Sequence, residues 1–191
     1  MKQNYNARKG LQLCLYGEIA MAAGVLTILD GLAGMIFSLF TLAGFVCRAQ
    51  GMKKAVLDNR DFMRASRLLM VGMALNAGLF VVSVYQQKYI YASMLVEMNA
   101  VLNVLSNYMI IRSTMDMLEY NGRTELCDKG KNAWTLYWIL YTVFLVCQLS
   151  RIFVYFIGEP VVLVLKIVGA LIAVFASYNY IRWLQRVQPV V

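Results

Sequence analysis

Long apolar runs alternate along the chain with short clusters of charged and polar residues. Six of these runs come close to the roughly 20 residues that a helix needs to cross the hydrocarbon core of a bilayer. They occupy residues 11–29, 32–48, 68–86, 89–111, 133–157 and 161–182. The pattern predicts an all-α polytopic membrane bundle of six transmembrane helices, with residues 1–191 forming a single transmembrane domain.

The first two runs are separated only by Asp30 and Gly31. A continuous helix from Leu11 to Cys47 would be about 55 Å long, whereas the hydrocarbon core is about 30 Å thick. We therefore expect a tight turn at Asp30 and Gly31. The six helices then form three antiparallel hairpins.

Two local signals predict where helices begin and end. Pro160 opens the sixth run, where its missing N–H removes no helical hydrogen bond. Asn121 and Gly122 follow the fourth run and are typical of a left-handed helix end. Glycine also recurs every seven residues from just before the first run to just after it, which predicts close helix packing there. These glycines are Gly10, Gly17, Gly24 and Gly31.

Basic residues are concentrated on one side of the predicted membrane. Of the eighteen lysines and arginines, three precede the first run, six lie between the second and third, four lie between the fourth and fifth, and two end the chain. By the positive-inside rule, both termini and the basic loops 49–67 and 112–132 are cytoplasmic. We expect a multi-pass protein of a bacterial inner membrane, although a eukaryotic internal membrane also fits the charge pattern.

The composition excludes several classes of function. The chain contains no histidine, and its four cysteines lack metal-binding spacing, so we expect no metal and no cofactor. No catalytic motif is present, which argues against an enzyme. The net charge of +8 does not indicate nucleic-acid binding, because the basic residues flank apolar runs.

The first basic loop has two interpretations. On a helix, its basic residues would share one face, opposite an apolar face, as in a helix lying on anionic lipid at the cytoplasmic surface. Alternatively, the loop is a charged connection that continues into the third helix. The candidate contacts for lipid headgroups or partners are Lys53, Arg60, Arg64 and Arg67.

Three ionisable residues fall inside the predicted spans, where each costs at least a few kcal/mol. Glu18 is predicted about 10 Å from the cytoplasmic side, and Glu97 and Lys166 about 12 and 8 Å from the outer side. Glu97 and Lys166 therefore share a depth and could form an ion pair. The alternative is that Lys166 extends outward and Glu97 is protonated.

The fourth run also carries asparagines at positions 99, 103 and 107, which line one helical face. If the second hairpin turns near Gln87, Asn76 reaches the level of Asn99, and the two amides can bond across the helices. Asn103 and Asn107 either extend this interhelical contact or line a polar cavity.

We interpret the chain as a small membrane transport or solute-binding subunit with a polar site among helices 3, 4 and 6. In size and helix count it is similar to the substrate-binding subunits of energy-coupling-factor transporters, a likeness of architecture without a shared motif. The alternative is a non-catalytic scaffold or regulatory subunit. Its glycine-lined first hairpin and basic loops would bind partner membrane proteins, a second copy or anionic lipid.

Overall fold

A computed structural model of the protein describes residues 5–24, 32–84, 89–149 and 158–191. Within these ranges, the side chains of 32–35, 37, 82–84, 89–97, 148 and 149 are not described. The described residues form six helices and contain no strand, which confirms the predicted all-α class. The helices are α1 (Tyr5–Gly24), α2 (Leu32–Ala55), α3 (Phe62–Val84), α4 (Tyr89–Tyr120), α5 (Thr124–Leu149) and α6 (Glu159–Val187).

The helices extend beyond the apolar runs at the basic end of the bundle. The second helix continues past residue 48 to Ala55, and the third begins at Phe62 instead of residue 68. The fourth ends at Tyr120 and the fifth begins at Thr124. Apolar runs mark only the part of a helix that needs an apolar surface, so they underestimate helix length. The two predicted basic loops shrink to short turns at 56–61 and 121–123.

Both local signals for helix ends occur in the structure. Gly122 has a φ of 70°, and the backbone N–H of Arg123 donates to the carbonyl of Leu118 at 2.8 Å. The N–H of Gly122 donates to the carbonyl of Glu119, which completes a Schellman motif. Pro160 lies in the first turn of α6.

The six helices form a closed ring. Each helix packs on the next one along the chain, and α6 returns to pack on α1. The contact between α1 and α2 is the most extensive. A ring of this kind has an inner face, to which α1, α2, α4, α5 and α6 contribute the polar residues discussed below.

Glycines set the register between α1 and α2. Gly10 faces Gly51, and a Cβ placed on Gly17 would lie 2.6 Å from the carbonyl oxygen of Gly44. Backbone therefore packs directly against backbone, as the sevenfold glycine spacing predicted. The predicted turn at residues 30–31 lies outside the described residues.

Large apolar side chains are exposed on the outer surface of all six helices. The exposed fraction reaches 53% for Ile139 and 65% for Leu171. Exposed examples from α1 to α4 are Ile19, Phe40, Val71 and Val101. Buried polar side chains lie inside the ring instead, including Glu18, Arg48 and four asparagines. The buried core is itself mostly apolar, so the unusual features are the extent of the exposed apolar surface and the buried charges.

One described helix, Glu159–Val187, is long and apolar enough to cross a membrane, with a mean hydropathy of 2.4 over its most apolar window. The core helix of a soluble protein can have the same length and composition. Such a helix would be covered by protein, however, whereas only 33% of this window is buried.

Candidate functional site

A buried ion pair lies inside the ring. The Arg48 Nη1 atom on α2 is 3.2 Å from the Glu18 Oε2 atom on α1, and both side chains are at most 1% exposed. These are the only charged residues among the described side chains that are buried. The inner face of the ring therefore carries one positive and one negative charge.

Three groups on α4 hold the Arg48 guanidinium. Its Nη1 and Nη2 atoms donate to the amide oxygens of Asn103 and Asn107, respectively. Nη2 also donates to the Ser106 hydroxyl oxygen at 3.1 Å. Asn103 and Asn107 are four residues apart, so one helical face presents both acceptors. Neutral acceptors thus fix the position of Arg48 independently of Glu18.

Tyrosines on α5 orient the two amides. The Asn103 Nδ2 group donates to the hydroxyls of Tyr137 and Tyr141, each at 3.0 Å. The Asn107 Nδ2 group donates to Tyr137 at 2.8 Å. The amide oxygens must therefore face Arg48, because the amide nitrogens face the tyrosines. The two tyrosine rings stack with centroids 5.0 Å apart.

The Glu18 carboxylate is held less firmly than Arg48. Its Oε1 atom accepts one long hydrogen bond, 3.4 Å, from the Ser177 hydroxyl of α6. The Asn107 amide lies beside the carboxylate, but Oε2 has no hydrogen-bond partner among the described residues. The fully buried hydroxyl of Tyr180 on α6 also has none. We call Glu18, Arg48, Asn103, Ser106, Asn107, Tyr137, Tyr141, Ser177 and Tyr180 the polar centre.

Glycine at position 17 makes room for this arrangement. A Cβ on Gly17 would lie 2.5 Å from Cγ of Arg48. Arg48 also donates to the sulfur of Met21 at 2.9 Å, and its guanidinium lies 5.9 Å from the centroid of the Phe45 ring. The close approach of α1 and α2 thus directs the arginine side chain into the ring.

Asn76 and Asn99 form a separate contact between α3 and α4. Each amide nitrogen donates to the amide oxygen of the other at 2.8 Å. Asn76 also donates to the carbonyl of Gly72. The structure therefore contains the interhelical amide pair that the sequence predicted. The predicted asparagine face divides in two, because Asn103 and Asn107 bind Arg48 and not α3.

The polar centre involves different helices from those expected. Sequence reasoning placed a polar site among helices 3, 4 and 6, whereas the buried charges belong to α1 and α2. Lys166 is half-buried on α6. The side chain of Glu97 lies outside the described part of the chain, so its pairing with Lys166 stays a prediction.

The four basic candidates of the first loop are all exposed at one end of the bundle. Residues 56–61 between α2 and α3 form turns and no separate helix. The structure therefore has the charged connection that runs into the third helix. In this connection, Asp58 accepts hydrogen bonds from the backbone N–H of Ala7 at 2.7 Å and the side chain of Asn6 at 3.0 Å. Lys53 lies in the last turn of α2, Arg60 in the turn, and Arg64 and Arg67 in α3.

Sequence reasoning missed Arg48 as a site residue because it ends an apolar run and resembles a cytoplasmic anchor. It also missed Tyr137, Tyr141 and Tyr180. One signal could have found Arg48. The glycine register places Gly17 opposite Gly44, which is one helical turn from Arg48, so Arg48 lies within reach of Glu18, the neighbour of Gly17.

Two open pockets on the described surface have volumes of about 210 Å³ each, and neither includes a residue of the polar centre. One is lined by Val104, Leu105, Tyr108, Trp134 and Trp138, the other by Lys9, Gln12, Leu13, Tyr16 and Lys54. In the described ranges, no three potential ligands are grouped so that they could hold a metal ion.

An exposed ion pair at the start of α5 provides a contrast with the polar centre. Lys129 hydrogen bonds to Glu125, and this bond lowers the pKa of the Glu125 carboxyl. Both side chains are well exposed, so the pair contributes little to stability. It lies outside the predicted spans and serves below as a matched control.

The chain matches no protein-family model, no curated protein and no solved structure.

Proposed function

We propose that this protein is a multi-pass membrane protein that binds and transports a small solute, and that its solute site is the polar centre. The observation that carries the proposal is the buried Glu18–Arg48 pair inside a ring whose outer surface is apolar. Helices α4 and α6 hydrogen bond to this pair, and α5 orients the α4 amides.

The energetics favour a functional role for the two charges. Apolar residues of similar volume would hold a helix pair together at least as well as a buried ion pair, whose desolvation penalty offsets most of its attraction. Charges inside a membrane bundle typically mark a solute or ion pathway. The Tyr180 hydroxyl, which has no hydrogen-bond partner among the described residues, adds a donor that a solute could engage.

In the proposed topology, all six helices cross the membrane and both termini are cytoplasmic. The basic residues that flank the ends of α2, α3, α4 and α5 support this orientation, and the exposed arginines there would contact anionic lipid headgroups. Reporter fusions at Asn121 and Gln87 should lie on the inner and outer side, respectively. Fusions on the same side would refute this topology.

A scaffold role has less support from the geometry. The described glycines of the first hairpin, which a partner helix would need, are buried between α1 and α2; these are Gly10, Gly17, Gly24, Gly44 and Gly51. Gly169 and Ala173 of α6 are buried as well.

Thermal unfolding of the purified protein in detergent tests the proposed function. The protein is titrated with a panel of sodium butyrate, putrescine hydrochloride, sorbitol and glucose at constant ionic strength. At least one solute should raise the midpoint in a saturable manner, because a ligand that binds only the folded state stabilises it.

The same titration of two variants locates the site. The double variant Glu18→Leu with Arg48→Met should fold and lose the response. The control Glu125→Gln with Lys129→Gln, which removes the exposed pair, should keep it. No response of the wild-type protein to any member of the panel, or a response kept by the Glu18 and Arg48 variant, would contradict the proposal.

A further inference from the structure

We infer that the solute of the polar centre is a monocarboxylate, which replaces the Glu18 carboxylate on Arg48 while Glu18 takes up a proton. The inference rests on the proposed function and deepens it by naming the substrate class. It derives from three features of the site: the unequal attachment of the two charged groups, the charge count of the ring interior, and the unpartnered hydroxyl of Tyr180.

Arg48 is held by more hydrogen bonds than Glu18, and this difference determines which of the two groups moves. Arg48 keeps three hydrogen bonds to α4 when Glu18 leaves, from its two guanidinium nitrogens to Asn103, Ser106 and Asn107. Glu18 loses its ion pair and keeps the long 3.4 Å bond from Ser177, with the Asn107 amide beside it. The guanidinium is therefore a preorganised anion receptor, and the carboxylate is its exchangeable occupant. A carboxylate ligand suits the position because a carboxylate already occupies it.

The Tyr180 hydroxyl adds a further donor. It is buried beside Glu18 and Arg48 and has no hydrogen-bond partner among the described residues. A ligand carboxylate has two oxygens and about four acceptor positions, so it can accept from Arg48 and from this hydroxyl together. The Tyr180 hydroxyl would thus have a hydrogen-bond acceptor in the ligand-bound state that it does not have in the free state.

The number of charges inside the ring determines the charge of the solute and the number of protons taken up with it. Glu18 and Arg48 are the only buried charges in the described part of the ring, so this part of the interior is neutral overall. An incoming monoanion adds one negative charge, and the displaced Glu18 would be a buried charge without a partner. A proton from bulk water bound to the Glu18 carboxylate restores neutrality. The ion pair between Glu18 and Arg48 breaks, one between Arg48 and the ligand forms, and the net change is one anion and one proton.

The other titratable groups around Glu18 keep their protons in this exchange. Phenols and thiols have ordinary pKa values of about 10 and 8.5, so the tyrosines and the cysteine are neutral near pH 7, and Arg48 is a cation. Facing groups on the packed elements are Cys14 on α1, Arg48 on α2, Tyr137 and Tyr141 on α5, and Tyr180 on α6. The neighbouring α4 groups, Asn103 and Asn107, do not titrate.

Calorimetric titration of the purified protein with butyrate tests this inference. Measurements in two buffers of different ionisation enthalpy give the number of protons taken up. A second titration, with laurate in the same detergent, tests whether a long-chain acid reaches the site from lipid. Binding of either carboxylate should take up about one proton, and its Kd should rise about tenfold per pH unit by linkage. Chloride and phosphate at the same ionic strength should not compete.

Two substitutions separate the roles of the charged groups. Glu18→Gln should bind the carboxylate without proton uptake and without pH dependence. Arg48→Gln should weaken binding about thirtyfold or more, as for loss of one partner of a buried charge pair. If either variant fails to fold, the proton count of the wild-type protein still decides.

Binding with no proton uptake, or binding of phosphate or chloride in place of the carboxylates, would overturn the inference. Binding of only putrescine, sorbitol or glucose would also overturn it but would leave the proposed function standing. The absence of binding by any of these solutes would refute both.

Discussion

The substitution Gly17→Ala probes the contact on which the polar centre depends. A Cβ at this position would lie 2.6 Å from the Gly44 carbonyl oxygen and 2.5 Å from Cγ of Arg48. Both distances are well below a normal van der Waals contact, so α1 and α2 must separate or Arg48 must move. Arg48 cannot yield easily, because three hydrogen bonds to α4 fix its guanidinium.

The expected cost follows from these clashes. Overpacking typically costs about 1–3 kcal/mol, and the backbone contact with Gly44 leaves little room for relaxation. Alanine recovers up to about 1 kcal/mol of helix propensity. We therefore expect a net loss of about 2 kcal/mol in the free energy of unfolding. For a chain of this size, the midpoint should fall by about 4 to 8 °C.

Gly78→Ala on α3 is the matched control, because no atom lies within 4 Å of the added Cβ. It should leave the midpoint unchanged or raise it slightly. Thermal unfolding of both variants in the same detergent measures the difference. Equal midpoints for Gly17→Ala and the wild-type protein, or equal losses for the two variants, would refute the packing argument.

Three further substitutions test other contacts by the same unfolding assay. Asn99→Leu should cost about 1–2 kcal/mol because it leaves Asn76 unpaired, and adding Asn76→Leu should cost less than the sum of the two single losses. Asp58→Ala should cost about 0.5–2 kcal/mol by leaving the first turn of α1 uncapped. If Glu97 and Lys166 are paired, Glu97→Leu alone should be more destabilising than Glu97→Leu combined with Lys166→Leu. For each pair, a double variant whose loss equals the sum of the two single losses would show that the two residues do not interact.

The sequence was sufficient for the six helices and for their ends at Gly122 and Pro160. Apolar runs of this length have few alternatives, and glycine and proline act through local backbone geometry. The cross-helix pair of Asn76 and Asn99 was also predictable, because a short hairpin fixes which residues lie at the same depth. These features depend on local sequence or on one adjacent helix.

The polar centre depends on five helices at once, which explains why the sequence predicted only part of it. Glu18, Asn103 and Asn107 were candidates because polar groups in apolar runs are costly. Arg48 was missed because it is the last residue of an apolar run and was interpreted as a helix end. The pattern does not show that the helix continues to Ala55, about 10 Å beyond Arg48 along the helix axis. Tyr137 was missed because tyrosine is common at membrane boundaries, and only the ring closure brings α5 to the asparagines.

A double-mutant cycle on Glu18 and Arg48 tests most directly whether their charges are needed for the fold, which the proposed role in solute binding does not require. The free energy of unfolding is measured for Glu18→Leu, Arg48→Met and the double variant. Each single variant should lose about 3–5 kcal/mol, because a buried charge is left unpaired, and the double variant should lose clearly less than the two single variants together. A double variant that loses as much as the two single variants together would contradict the account, since the two charges would then be needed for folding.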